Sequence, residues 1–592
     1  MRCRGGMTSM SGKSWYRCAG AALAGAAMAS AWAFVEVPGQ AAHGPACSPV
    51  FAERGAPAPR LDADCGLPAA SARELVQALE AGLRGAGLDS NRRAAFAHAA
   101  NSIMAAVAAS ADPQAMHRLA PLLVALATRA RASPGLDFVA LARRWGERYW
   151  RLRHDTSVTR TSDPRELEVD HAIASLDFDT AARLLAGQIA EPGQDPPLLA
   201  ARRHTAATVE WLRFAPDRAL VYAKGAYAAQ PANIEAAATY ADMLDEESAY
   251  EQAQPVYEAL LSRYQRLAHD NPARWRAAIA RTSARLGRLY AALQLPQDAE
   301  MAYLRALAHF WALARTDPPT YAPAVATTFE SLALLYRDAQ RPGDAIDLYR
   351  EALNLERALA QRDPRAYEAS VAATLNDLGV LYEAVRLNDD AKRAYEEALG
   401  IQRRLVSGSP ALYRPVLART LGNLGNVYSA AGDRAAAYGA YSEALSLRRQ
   451  LAAESFMLNG ADLARTLANF GALERAQAHP ERAQRAYREA LGIFRRLARR
   501  EPAAYRADEA RTLNNLGVLL SRTHRARGAE TAYREAIARY EVLARADPAA
   551  HGQDYARVLG NLSRLYRETG RAREADAVAR RAAQLLAAGQ VR

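Results

Sequence analysis

The sequence predicts an all-α protein, a solenoid of stacked helical hairpins, and three observations carry that prediction. A five-residue phrase recurs every 46 residues: Leu286–Tyr290 (LGRLY), Leu332–Tyr336 (LALLY), Leu378–Tyr382 (LGVLY), Leu424–Tyr428 (LGNVY), Phe470–Glu474 (FGALE), Leu516–Leu520 (LGVLL) and Leu562–Tyr566 (LSRLY). A weaker copy sits one period earlier at Tyr240–Leu244. After each phrase follow, in fixed register, an alanine (Ala299, Ala345, Ala391), an aromatic (Tyr303, Tyr349, Tyr395) and a second alanine (Ala306, Ala352, Ala398), and the later units repeat the pattern. Breaker pairs such as Asn271-Pro272, Asp317-Pro318, Asp363-Pro364, Ser409-Pro410, Glu501-Pro502 and Asp547-Pro548 keep the same period. Periodicity on this scale marks a repeat architecture, in which each unit packs on its neighbours and no single core is needed.

Steps of three and four place the recurring residues on one helical face. Short polar segments with glycine or proline, such as 339–344 and 430–435, predict a tight turn between two helices. Each unit is therefore read as a hairpin. Gly287, Gly379, Gly425, Gly471 and Gly517 lie inside the first helix, where glycine costs roughly 1 kcal/mol against alanine. Close approach of two helix axes would offset that cost. We expect the alanines of the second helix to meet the glycine column, with the tyrosine filling the gap toward the next hairpin.

Small residue, tyrosine, then alanine, aromatic and alanine at these offsets resembles the tetratricopeptide repeat, and the 46-residue form is similar to the repeats of kinesin light chains. The family unit has about 34 residues, and the extra residues here lengthen both helices. The resemblance implies an α-solenoid wound as a right-handed superhelix, with the first helices lining a concave groove that takes partner proteins or extended peptides.

Composition fits this class. Half of the 592 residues are hydrophobic and aromatics make up only 7%, which suits small-residue helix packing. No alternating β-branched run long enough for a sheet occurs. The formal charge is +12, carried almost wholly by arginine, since Lys13, Lys224 and Lys392 are the only lysines. A basic balance admits acidic peptides, anionic lipid or nucleic acid, and selects none of them.

Taken in order, residues 1–41 read as a signal peptide or membrane anchor: a basic start precedes the uncharged stretch Cys18–Val35, and small residues follow. Cleavage is favoured over anchoring because the stretch is only weakly hydrophobic. Residues 42–67 form a Pro/Gly-rich segment holding Cys47 and Cys65, the last two cysteines of the chain, which are candidates for a disulfide in an oxidising compartment. Residues 68–152 read as four helices starting near Ser71, Ser90, Asp112-Pro113 and Ser133-Pro134, and residues 153–164 as a linker. Residues 165–232 hold more degenerate hairpins. Residues 233–592 carry the regular repeats and a C-terminal cap, where the aromatic column ends at Ala579. The breaker pair is missing at Ser455-Phe456, and a soft point is expected there.

No catalytic or metal signature is present, neither H-E-x-x-H, G-x-S-x-G nor a Walker loop, and the histidines do not cluster at ligand spacing. The expectation is a protein without cofactor, metal or enzymatic activity. Carboxylates beside arginines, such as Arg350-Glu351 and Arg488-Glu489, read as solvated helix faces.

What stands out is a polar column on the first helices: Arg419 and Asn423, Arg465 and Asn469, Arg511 and Asn515, Arg557 and Asn561, each pair four residues apart on one face. By position relative to the small residue, the asparagine matches one that binds extended peptide backbones in the family. Arginine forks onto carboxylates, and an amide both donates to and accepts from a peptide bond. The eight residues thus form a candidate peptide-binding row for an acidic segment, while the same groups serve equally well to link successive hairpins. The reading that follows is an exported scaffold of the periplasm or cell envelope that binds protein or extended peptide and no nucleic acid. The alternative is a cytosolic, peptide-responsive regulator, and an enzyme within residues 66–160 is a third reading.

Overall fold

The computed structural model describes residues 138–154, 163–408 and 410–590, together with 49–50, 60–61, 118, 122, 125 and 126. The expected signal or anchor, Cys47, Cys65 and the helix starts before residue 138 lie outside the described residues. Helix α1 spans Phe138–His154, and after it the described residues form twenty helices in ten hairpins. The first three hairpins are α2 (Pro164–Ala174) with α3 (Phe178–Ala190), α4 (Pro196–Leu212) with α5 (Pro216–Ala229), and α6 (Ile234–Glu246) with α7 (Tyr250–Asp270). The long hairpins begin with α8 (Pro272–Ala292) and α9 (Pro296–Ala314), α10 (Pro318–Asp338) and α11 (Pro342–Arg362), α12 (Pro364–Ala384) and α13 (Asn388–Gly408). They continue as α14 (Pro410–Ala430) and α15 (Arg434–Glu454), α16 (Phe456–Ala476) and α17 (Pro480–Ala498), α18 (Pro502–Arg522) and α19 (Ala526–Ala546), α20 (Pro548–Glu568) and α21 (Ala572–Gln590). Consecutive helices pack on one another, so the all-α hairpin solenoid is the observed architecture. The one addition among the described residues is a two-residue antiparallel ribbon, β1 (Pro49–Val50) against β2 (Arg60–Leu61). Two compact units divide the chain, one to Thr374 and one from Leu375.

Each hairpin is punctuated at both ends by local chemistry. The Asn-Pro and Asp-Pro pairs start first helices: the side chains of Asn271, Asp317 and Asp547 accept from the amides of Arg274, Thr320 and Ala550 at 3.2, 3.3 and 3.0 Å, and proline occupies the first helical position, where no donor is needed. The turn inside each hairpin is closed by a residue with positive φ: Gln294, Gln340, Arg386, Gly432, Ala478, His524 and Gly570 keep the 46-residue period. The following amide then bonds back to the last residue of the phrase, as from Leu295 to Tyr290 and from Arg341 to Tyr336, both at 2.8 Å, which satisfies an otherwise orphaned carbonyl at the helix end. Most of these positions carry a side chain where glycine is unstrained. Ala478→Gly is expected to raise stability by about 0.5–1 kcal/mol in a chemical denaturation midpoint.

Where Ser455-Phe456 lacks the breaker, α16 still begins in register. Asn459 takes over, donating from Nδ2 to the carbonyls of Leu451 at 3.0 Å and Ser455 at 3.3 Å, and the Arg496 guanidinium lies 3.9 Å over the Phe456 ring. The hairpin boundary survives because a side-chain amide caps the preceding helix.

The packing against glycine differs from expectation. It is the tyrosine of the same hairpin that covers the glycine: a Cβ on Gly379 would lie 2.5 Å from the Tyr395 ring, and one on Gly517 would lie 2.6 Å from Tyr533. Gly287, Gly425 and Gly471 face Tyr303, Tyr441 and Tyr487 in the same way. The alanine columns are buried alongside, but at these five hairpins the ring lies against the glycine backbone, in space that a side chain there would occupy. Burial drives the hydroxyl pKa of this column upward, to about 12 for Tyr533.

Candidate functional site: the first-helix face

Helices α14, α16, α18 and α20 start 46 residues apart, so Arg419, Arg465, Arg511 and Arg557 occupy the same position on four successive first helices. All four arginines are exposed. One turn on, Asn469 is exposed, and Asn423, Asn515 and Asn561 are half-buried. The structure therefore brings the row together within the unit from Leu375.

The row is also tied into the fold. Arg465 donates from Nε to Asp508 Oδ2 on the next first helix at 3.0 Å, with a second contact from Nη2 at 2.8 Å. Burial weakens its charge, but the hydrogen bond to Asp508 and that carboxylate's charge outweigh it and hold the guanidinium pKa above its ordinary value. Arg511 shares the same Asp508, and Arg557 pairs with Asp554. Arg419 makes no ion pair among the described residues. The asparagines form rungs between hairpins: Asn469 Nδ2 donates to Asn426 Oδ1 at 3.0 Å, Asn561 Nδ2 to Asn514 Oδ1 at 2.9 Å, and Asn423 Nδ2 to Asn376 Oδ1 at 3.5 Å. Thr420 joins the last of these by donating to Asn376 Oδ1 at 3.2 Å. Each rung uses one of the two amide hydrogens of the donor asparagine, so its carbonyl and second hydrogen remain outside the rung.

Two further ladders were not read from the sequence. The last tyrosine of the phrase reaches back to a glutamate of the preceding hairpin: Tyr290 to Glu258 at 2.7 Å, Tyr336 to Glu300 at 2.6 Å, Tyr428 to Glu396 at 2.7 Å and Tyr566 to Glu530 at 3.0 Å. On the second helices, Arg403, Arg449 and Arg495 pair with Glu443, Glu489 and Glu535 of the next hairpin at 2.8, 3.1 and 2.6 Å. Glu489 is thus an inter-hairpin partner and not only a solvated residue. The last rung reverses polarity, Glu541 facing Arg581 at 3.0 Å. The signal was a charge recurring at 40 and 46 residues, which single-helix spacing does not reveal.

Among the described residues no group of three or more His, Cys, Asp or Glu side chains is placed to hold a metal ion. No helix among them is long and apolar enough to cross a membrane.

Paired helices in register, joined hairpin to hairpin by side-chain rungs, define a repeat scaffold of the helical-hairpin class. A tetratricopeptide-repeat family model matches residues 325–365, 371–410 and 510–546, and these stretches are tetratricopeptide repeats. Curated proteins give no match. Among solved structures, the chain is similar to BtubC (BKLC) from P. vanneervenii at 25% identity, covering 43% of this chain and 92% of that one with a TM-score of 0.33. It is similar to the apo form of RapI at 15% identity, covering 52% and 99% with a TM-score of 0.39. A putative kinesin light chain of Podosopora anserina with nearly identical TPR-like repeats shares 17% identity over 38% of this chain and 97% of that one, with a TM-score of 0.30. Tetratricopeptide solenoids are scaffolds suited to protein interaction, and that is the class of function the fold defines.

Proposed function

We propose that the chain is an exported, non-enzymatic scaffold that holds an extended, acidic segment of a partner protein along the first helices of the unit from Leu375. The observation that carries this reading is the register-equivalent row of four exposed arginines, each followed one turn later by an asparagine. The inter-hairpin rungs support it, because an amide already fixed by one bond loses little further freedom when its remaining donor and acceptor meet a peptide bond. Charge supports it less evenly. Asp462, Asp508 and Asp554 each pair with arginines of the row, so attraction for a carboxylate falls mainly on Arg419.

The double variant Asn469→Ala with Asn515→Ala should weaken a bound partner about tenfold or more by isothermal titration, while the melting curve hardly moves, since neither side chain is buried and such substitutions cost little. Loss of folding in its place would assign the column to hairpin linkage alone. Export is proposed from the basic and uncharged N-terminal stretch within residues 1–41. N-terminal sequencing of the mature protein should begin after Ala31 or near Ala42. An intact Met1 in the soluble cell fraction would favour the cytosolic regulator.

A further inference from the structure

Within the unit ending at Thr374, α1 precedes the ten hairpins of the described residues and packs against α4. It is anchored by Trp145, whose indole donates to the Leu212 carbonyl at 2.9 Å, and by Arg148, which bonds Glu246 at 3.0 Å and lies 3.9 Å over the Trp211 ring. Between this helix and α6, α7 and α8 lies a cleft of about 710 Å3. That volume lies within the range of about 300–1,000 Å3 common for small-ligand sites.

The lining combines apolar surface with positive charge. Leu260 and Tyr264 are buried in it, and the small side chains of Ala238 and Ala278 leave room in front of them. Trp150 of α1 also lines the cleft and is 57% exposed. Asp242 is already committed: it pairs with Arg285 and accepts from the Tyr257 hydroxyl at 2.8 Å, which in turn accepts from Arg285 at 2.9 Å. Arg281 makes no ion pair or hydrogen bond among the described residues. Among the described residues, Arg151 reaches only the Glu147 carbonyl, at 3.4 Å. Three lining arginines therefore face two carboxylates, Glu147 and Asp242, which leaves one net positive charge over Arg151 and Arg281.

We propose that this cleft is a binding site for a small organic anion carrying a flat ring. The ring would lie against the Trp150 indole and the Tyr264 side, and the anionic group would be taken by Arg281 and Arg151. A guanidinium is suited to either oxyanion, forking onto a carboxylate or a phosphate alike. This site is independent of the first-helix row proposed above, so one can fail without the other.

The test is a titration of the full chain, followed by tryptophan fluorescence and calorimetry, with four probes: indole-3-propionate, its neutral amide, adenosine monophosphate, and adenosine. At least one anionic probe should bind about tenfold or more tightly than its neutral counterpart, and which pair shows the difference tells carboxylate from phosphate. Arg281→Gln and Trp150→Ala should each weaken that probe about tenfold, with an unchanged melting temperature because both side chains are exposed. Equal binding of neutral and anionic probes, saturation by none of them, or full affinity in Arg281→Gln would overturn the proposal.

Discussion

Gly379→Leu should destabilise the unit from Leu375 by about 3 kcal/mol, because the first atom of any side chain there would sit 2.5 Å from the Tyr395 ring. Tyr395 is fully buried and cannot rotate away without leaving a void. The chain supplies its own comparison. In the hairpin of α10 and α11 the equivalent first-helix residue is Ala333, packed in the same repeat as Tyr349, and both are buried. One methyl group is therefore tolerated where the helices are spaced for it, so Gly379→Ala should cost clearly less than Gly379→Leu. Tyr395→Ala alone should cost about 3–5 kcal/mol as a large core truncation. The combined variant should fall short of the sum by about 1–3 kcal/mol, since the leucine then fills part of the space the ring left. Strict additivity in urea denaturation would show that the two residues do not share a contact.

Glu246→Ala should cost about 3–5 kcal/mol and release α1, for a different reason. Arg148 is only 8% exposed, with burial lowering its pKa and Glu246 as the first charge opposing that shift. Glu246 also accepts from the Trp211 indole at 2.7 Å. Truncating the carboxylate leaves a buried guanidinium without its counter-charge and an indole donor without its acceptor. The expected result is loss of amide-exchange protection across residues 138–154, with protection in α8 to α11 retained. Glu246→Leu with Arg148→Met should recover most of the loss, because replacing both members of a buried pair by apolar groups is often close to neutral. Unchanged protection in α1 after Glu246→Ala would show that the Trp145 anchor suffices.

The hairpins were legible because their determinants are local. Proline after aspartate or asparagine starts many of the first helices, and residues spaced by three and four mark the buried face; both can be read along one element. The glycine–tyrosine contact was half legible. The sequence shows that a small residue faces something bulky, but two columns in the second helix satisfy the spacing, and only three-dimensional packing shows that the ring and not the alanine methyl lies over Gly379. The ladders were hidden for a related reason. Tyr336 and Glu300 stand 36 residues apart in different hairpins, and their pairing depends on how one hairpin leans on the next. The candidate row was visible as a repeated Arg and Asn spacing, while its engagement by carboxylates was not. Asp462, Asp508 and Asp554 keep the same period as the arginines, and each stands within one turn of the arginine on its own helix. Spacing alone does not tell that Asp508 also takes Arg465 from the preceding hairpin, because that contact is set by how two first helices lie side by side. The docking of α1 lies beyond periodicity altogether, since its Trp145 and Arg148 are anchored by Leu212 and Glu246, residues of unrelated spacing.

The central claim, that the first-helix row captures acidic segments, is tested most directly by calorimetric titration of the full chain with a twelve-residue peptide of alternating aspartate and serine, set beside the same peptide with asparagine for aspartate. The acidic peptide should bind and the neutral one should not, and replacing Arg419, Arg465, Arg511 and Arg557 together by glutamine should abolish binding in a protein that still melts cooperatively. Undiminished binding in that variant, or no binding of the acidic peptide to the unaltered chain, would contradict the claim.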